Sequence, residues 1–271
     1  MTAVRPVALV TGASSGIGDA AAVALAAAGF QVIGTSRNTS RITRRTGVTY
    51  LDLDVTSDES VSAVVEQVIE QFGRIDVLVN NAGLGADGAA EEISVARAQS
   101  VFDVNVFGLM RMTKAVLPRM RAQGSGRVIN ISSVAGFVPN PFMAVYVSTK
   151  HAVEGYSESL DHEVREHGVR VLLVQPGPIN TPFDANMVQA DTPLPLYAQR
   201  RSTFHDVMRK EMRGGDDPST VAKVIVRAAT DPKPKLRYPA GSTAGRVSVL
   251  RRLVPARTFD KSVRKLNRMP S

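Results

Sequence analysis

The chain has 271 residues with ordinary hydrophobic and charged content, so it can bury a sizeable core as a globular protein. It has no cysteine, which excludes disulfides, thiolate nucleophiles and cysteine-ligated metals. The net charge of +8 sits at one end: from Lys233 onward eleven Lys/Arg face Asp260 alone, while the first 232 residues carry 22 basic and 24 acidic groups. The positive charge therefore describes a tail. Without stacking aromatics or a DNA-binding motif, it does not argue for nucleic acid.

The opening run, MTAVRPVALVTGASSG, is too short and too interrupted for a signal peptide or a membrane span, so a cytoplasmic location is expected. A first strand is predicted at Pro6–Thr11, then a helix at Ile17–Ala28 closed by Gly29. Strands at Gln31–Ser36 and Thr49–Leu53 precede a helix at Asp58–Phe72, which ends at Gly73. Next come a strand at Ile75–Asn80, a helix at Val101–Ala122 and a strand at Arg127–Ser132. A helix at Tyr146–His167, closed by Gly168, leads to a strand at Arg170–Gln175. Residues 183–218 break the rhythm and hold one helix around Tyr197–Met212; a weaker strand follows at Leu236–Pro239. The basic end carries Pro255, which interrupts any single helix there.

Several strands read as continuous apolar runs (VALV, DVLVN, RVLLV), as expected when both faces are covered. The alternation predicts an α/β, Rossmann-like, doubly wound parallel sheet of about seven strands with helices on both faces. One domain spanning residues 1–271 is expected, with 183–218 as a substrate lid and 242–271 as a basic C-terminal extension.

Directly after the first strand comes Thr11-Gly12-Ala13-Ser14-Ser15-Gly16-Ile17-Gly18, opening into an alanine-rich helix. Glycines permit a tight turn and close approach to a pyrophosphate, and the helix start offers free N–H groups and a positive dipole end. Ser14 and Ser15 can add hydroxyls. The G-x-x-x-G-x-G spacing is a variant of the dinucleotide fingerprint; the alternative is a glycine-rich turn without a ligand. The second strand ends in Ser36-Arg37-Asn38, where a carboxylate would read a free ribose 2′-hydroxyl. Arg37 instead offers a charged fork to a phosphate, which points to NADP(H) over NAD(H); the alternative is a solvated loop cation.

Tyr146 and Lys150 stand four apart, as neighbours on one helix face. A close cation would stabilise a phenolate and lower the tyrosine pKa, as a proton donor to a carbonyl requires. Taken alone, Y-x-x-x-K also fits a surface pair. Together with T-G-x-x-x-G-x-G, N-N-A-G at Asn80–Gly83, Asn105, Ser133 and P-G-P-I-x-T at Pro176–Thr181, it resembles the short-chain dehydrogenase/reductase family. The motifs fall in family order from residue 11 to 181, and the resemblance in fold reaches about residue 240.

The resemblance implies hydride transfer between a nicotinamide and a carbonyl or alcohol. Tyr146 would be the general acid in reduction and the base in oxidation. Lys150 would hold the nicotinamide ribose, and Ser133 would bind the substrate oxygen, with Ser132 as the competing assignment. Asn105 would help hold a relay water, against the reading of a locally bonded helix residue. Cofactor contacts would come from Gly12, Ser14, Ser15, Gly16, Ile17, Gly18, Ser36, Arg37, Tyr146 and Lys150. Asp54, Val55, Asn81, Ala82 and Gly83 would serve the adenine side, and Pro176, Gly177, Ile179 and Thr181 the nicotinamide. A homodimer or homotetramer paired through the helices of Asn105 and Tyr146 is implied in the same way.

Phe183, Met187, Val188, Leu194, Leu196, Tyr197, Phe204 and Met208 could furnish an apolar lid opposite Val134, Phe137, Val138, Phe142 and Met143. A lipophilic ketone or alcohol is therefore expected over a charged sugar; the same residues could instead simply pack the fold. The tail is read as packed on its own body, with contact to a membrane surface as the alternative. His151, His162, His167 and His205 are scattered and suggest no metal site. Two other function classes are weighed: a redox sensor that binds NADP without turnover, and an isomerase or dehydratase on the same scaffold. Stoichiometric consumption of NADPH separates a reductase from both.

Overall fold

The computed structural model describes residues 5–269. In chain order its core elements are β1 (Val7–Val10), α1 (Gly16–Ala27), β2 (Gln31–Ser36), β3 (Val48–Asp52), α2 (Asp58–Phe72) and β4 (Val77–Asn80). Then follow β5 (Ala86–Asp87), α3 (Val95–Phe102), a π-helical turn (Asp103–Gly108), α4 (Leu109–Gln123) and β6 (Gly126–Ile131). The rest is α5 (Ala144–Val164), β7 (Val169–Pro176), β8 (Val188–Gln189), α6 (Ala198–Arg213), α7 (Pro218–Thr230), β9 (Arg237–Ala240), α8 (Ser242–Leu253) and α9 (Ala256–Leu266).

Seven strands form one parallel sheet in the order β3-β2-β1-β4-β6-β7-β9. The order reverses between β1 and β4, which opens a crevice beyond their carboxyl ends. Period-two alternation assigns each strand's side chains to two cores. Ala8, Val10 and Val32 face Ala21, Ala22 and Leu25 of α1 and Val221 and Ile225 of α7. Val7, Leu9 and Ile33 face Val64 and Val68 of α2, Met112 and Val116 of α4, and Leu160 of α5. Burying a side chain the size of Leu25 contributes about 1.5–3 kcal/mol relative to exposure.

Polar side chains fix how the helices sit on the sheet. The Asn80 amide donates to Thr113 Oγ1 (3.1 Å) and Asn130 Oδ1 (2.9 Å), and the Asn130 amide donates to Ser157 Oγ (2.8 Å). These four buried residues tie α4 and α5 to β4 and β6.

The predicted strands lie within a residue or two of those observed, and the helix predicted around Tyr197–Met212 is α6. Four differences stand out. The helix predicted from Val101 already begins at Val95, where Ser94 caps it by accepting from Arg97 N. It then widens into the π turn around Asn105. Helix α7 was not predicted, although Asp217 caps its start, Pro218 holds its first position, and Val221, Ala222, Ile225 and Ala228 line one face. Two-residue strands β5 and β8 pair to join the 183–218 segment to the body. Finally, the basic end folds into α8 and α9, which part at Pro255.

Helix α8 docks where Ala244 is fully buried, next to Gly177, and Arg251 Nε donates to the Phe137 carbonyl (3.1 Å). Arg200 of α6 donates to the Arg268 carbonyl just past α9 (3.1 Å). Among the described residues, no helix is long and apolar enough to cross a membrane.

Candidate active site

The strand-to-helix turn is shaped by glycines that admit no side chain. Gly12 and Gly16 have φ of +67° and +57°, and a Cβ on Gly18 would lie 2.2 Å from the Gly12 carbonyl. A Cβ on Gly12 would press on Ala82 Cα at 3.0 Å. The turn is clamped to the end of β4: Asn81 Nδ2 donates to the carbonyls of Thr11 (2.9 Å) and Gly12 (3.1 Å). Thr11 Oγ1 accepts from the N–H groups of Asn81 and Ala82 (both 3.0 Å). The Asn81 side chain thus holds the turn against the end of β4. Ser15 precedes α1 without a side-chain cap bond, and Ser14 and Ser15 are exposed, so the helix start keeps donors for an anion. This cradle fits the pyrophosphate of a dinucleotide.

Arg37 is exposed just past β2, and its guanidinium makes no hydrogen bond or ion pair among the described residues. Asp52, in register with Ser36, is the nearby carboxylate that strand reading overlooked. It accepts from both the N–H and the hydroxyl of Thr39 (both 2.7 Å), which lowers its pKa. Asp54 is similarly engaged by Thr56 N–H (2.9 Å) and hydroxyl (2.7 Å), which hold it below the usual carboxylate range. Val55 is buried against Gly108, where a Cβ would come within 2.8 Å of its methyl.

Helix α5 carries Tyr146 and Lys150, both 8% exposed. The Lys150 ammonium donates to the Ile131 carbonyl at the end of β6 (2.9 Å) and lies 5.6 Å from the Tyr146 ring centre. Burial pulls Lys150 down to about 8, against the opposing pull of Glu154. Burial likewise pushes Tyr146 up to about 12, and the hydrogen bond from Ser133 offsets only part of this. Burial is the larger influence on the phenol, and the Lys150 ammonium stands beside its ring.

Ser133, half-buried past β6, meets the phenol and accepts from Ala135 N–H (3.1 Å). Ser132 is buried, its hydroxyl has no hydrogen-bond partner, and it lies where a Cβ on Gly136 would approach to 2.7 Å. The two serines therefore face different surroundings, as alternation requires.

Asn105, 3% exposed, grips the chain beyond β4: Leu84 N–H donates to its Oδ1 (2.7 Å), and its Nδ2 donates to the Leu84 carbonyl (2.8 Å) and to Thr149 Oγ1 (3.1 Å). The amide is fully engaged. A place for it in a proton relay would fall to its backbone within the widened π turn, a device frequent at functional sites.

Ile179 is buried in the loop after β7, where Asn180 N–H and the Asp216 carbonyl pair (3.0 Å). Gly177 N–H donates to the Ala240 carbonyl (3.0 Å), and the Thr181 methyl would meet a Cβ on Gly16 at 3.2 Å. The residues after β7 thus close over the start of α1. Two contributors were missed in the sequence. Glu154, one turn beyond Lys150, accepts from Gln175 (2.9 Å) and Arg237 (2.9 Å); its four-residue spacing was the available signal. Thr149, between the two motif residues, is the buried partner of Asn105.

The segment 183–218 packs against the phenol. The Phe183 ring stands 5.5 Å from Tyr146, edge to face, and Met187, Phe204 and Met143 share its apolar cluster. Glu92, fully buried, anchors this segment by pairing with Arg201 of α6 and accepting from Leu194 N–H (2.8 Å) and Ala89 N–H (2.9 Å).

Residues 6–192 match the family model described as short chain dehydrogenase. The chain belongs to the short-chain dehydrogenases. Its relatives include the 3-ketodihydrosphingosine reductase of Bacteroides thetaiotaomicron, 40% identical over 235 residues, covering 86% of this chain and 87% of that one. A short-chain dehydrogenase structure from Streptomyces avermitilis aligns with a TM-score of 0.85 at 36% identity, covering 99% of both chains. A short-chain dehydrogenase/reductase from Burkholderia phymatum, solved with NAD, aligns at 0.80 with 26% identity, covering 96% of this chain and 95% of that one. Further solved neighbours carry NADP or its 5-hydroxy derivative. This short-chain dehydrogenase is accordingly an oxidoreductase of a nicotinamide cofactor.

Proposed function

We propose that the enzyme interconverts a carbonyl and a secondary alcohol on a lipophilic small molecule, using NADP(H), with Tyr146 as acid and base. The observation that carries this reading is the Tyr146 hydroxyl beside Ser133, walled by Phe183, Met187 and Phe204. When bound, the nicotinamide supplies or accepts the hydride. The side chains do the rest. In reduction Tyr146 gives its proton to the carbonyl oxygen as negative charge builds there, and Ser133 donates a hydrogen bond to the same oxygen. Lys150, fixed by the Ile131 carbonyl, holds the ribose hydroxyls and replaces part of the solvation that the phenolate lacks. Asn105 keeps the Leu84 backbone and α5 in register. Pro176, Gly177, Ile179 and Thr181 border the nicotinamide, while Asp54, Val55, Asn81, Ala82 and Gly83 border the adenine.

Arg37 supports NADP(H), since its guanidinium makes no hydrogen bond among the described residues, where the carboxylate of Asp52 is spent on Thr39. The apolar lid supports a lipophilic substrate. The Bacteroides relative, named for a keto derivative of dihydrosphingosine, points the same way. A homodimer or homotetramer through the helices of Asn105 and Tyr146 is the expected assembly; Phe107, in the π turn that holds Asn105, stands 49% exposed.

Apolar ketones and polar sugars, each assayed with NADPH and NADH by nicotinamide absorbance, test the reading. Apolar ketones with NADPH should turn over fastest. Tyr146→Phe should lose about 10²–10⁴-fold in kcat while still binding cofactor. Arg37→Ala should raise KM for NADPH about tenfold or more and leave that for NADH unchanged. A consistent preference for sugars would overturn the substrate class, and no consumption of NADPH would overturn the reaction.

A further inference from the structure

Behind the apolar wall that faces Tyr146 lies a cavity of about 190 Å³, lined by Asp87, Asp184, Met187, Gln189, His205 and Met208 together with Arg209. Met187 belongs both to this cavity and to the Tyr146 cluster, and it packs with Phe183 on Gly85, where a Cβ would meet them at 2.7 and 2.9 Å. Met187 is therefore the shared wall between this cavity and the Tyr146 cleft.

Its chemistry is unlike that of the lid. Asp87 is 4% exposed at the end of β5. Its Oδ2 accepts from Gln189 Nε2 (3.2 Å) and faces His205 Nε2 (3.2 Å). Its Oδ1, equally buried, has no hydrogen-bond partner among the described residues. A buried carboxylate oxygen without a donor is costly, and such a group is kept where a ligand completes it. The one guanidinium at the rim, Arg209, is 55% exposed and lies 3.7 Å from Asp206. Its charge is screened by water, whereas Asp87 is 4% exposed.

We infer that this cavity is a subsite for a hydrogen-bond-donating head group, a protonated amine above all, which the Asp87 carboxylate receives. Resting on the reading of the Tyr146 cleft as a carbonyl site, the inference narrows the substrate class to lipophilic carbonyl or alcohol compounds that also carry an amine. Met187 and Met208 would pack the carbon chain, and Gln189 and His205 would keep the carboxylate turned toward the head group.

Calorimetric titration of the full chain at neutral pH with octylammonium, octanol and octanoate tests this without turnover. Octylammonium should bind at least about tenfold more tightly than the other two, which is about 1.4 kcal/mol. Asp87→Asn, which keeps the side-chain volume, should erase that ranking. Binding of the three probes within about twofold, absence of octylammonium binding, or a ranking that survives Asp87→Asn would each overturn the subsite. The wild-type ranking alone decides the matter if the variant fails to fold. Reduction of octan-2-one by NADPH, measured in parallel, reports on the carbonyl reading separately: turnover without amine preference removes the subsite and leaves the reductase standing.

Discussion

Gly18 shows how little room the phosphate turn leaves: its hydrogen points at a carbonyl that a methyl group could not face. Gly18→Ala should weaken NADPH binding about tenfold or more, read by fluorescence titration, while the thermal unfolding midpoint moves far less. Lys150 and Tyr146 carry a second consequence. The lysine, pulled to about 8 by burial, loses its charge at mildly alkaline pH, whereas the phenol, near 12, stays protonated throughout. The profile of kcat/KM for reduction, which reports on the free enzyme, should be flat below about pH 7 and fall as pH rises through about 8. Lys150→Arg cannot deprotonate in that range and should remove this limb at a lower rate; a profile unchanged by it would assign the limb elsewhere. At this scale the sequence was informative where chemistry follows from residue type and spacing, as for Tyr146, Lys150 and the glycines. It showed the pairing of Tyr146 with Lys150 but not the burial around Tyr146, to which Phe183 and Met187, distant in sequence, contribute.

Among the elements, the widened turn at Asp103–Gly108 and the lid depend on contacts that no local pattern reveals. The helix around Asn105 reads as regular, and only the fit of Gly108 on Val55 and the grip of Asn105 on Leu84 show why it opens. The segment 183–218 was legible as a break in rhythm, yet its anchor was not. Glu92 looks like an ordinary surface acid in AAEEIS and is in fact fully buried, joining α6 and the loop before it to the body. Burial alone would raise its pKa, but the bonds from Leu194, Arg201 and Ala89 hold it below the usual range. Glu92→Gln weakens charge-assisted bonds of about 1.5–3 kcal/mol. Hydrogen exchange in residues 188–213 should quicken about tenfold or more, with KM for substrate raised and exchange in the central strands unchanged.

For the molecule as a whole, alternating strands and helices with right-handed crossovers were enough to anticipate the sheet, because a parallel sheet must cover both faces. The polar groups that lock the layers together were less visible. Asp161, 1% exposed at its side chain, pairs with Arg165 and Arg170 and accepts from Val171 N–H (2.9 Å), fastening the end of α5 to the start of β7. Burial opposes its ionisation, but the bonds from Arg170 and Arg165 prevail and lower its pKa. A carboxylate with a depressed folded pKa stabilises above its unfolded value and loses that contribution as pH falls through the folded one. Asp161→Asn should therefore cost about 2–3 kcal/mol at neutral pH in urea unfolding, and the deficit should shrink below about pH 4 as the native carboxylate takes up its proton. A deficit that stays constant into acid would mean that the charge is not what holds the joint.

The docking of α8 has a practical side. Ala244 rests beside Gly177, and Arg251 holds the carbonyl of Phe137, so the strip of chain just past Ser133 is braced by a helix more than a hundred residues downstream. Shortening the protein before Ser242 would leave the seven strands in place but remove this brace from Phe137 and Gly177. Selectivity among carbonyls would then drift while affinity for the nucleotide held, and an affinity handle fused to that terminus would disturb the same brace.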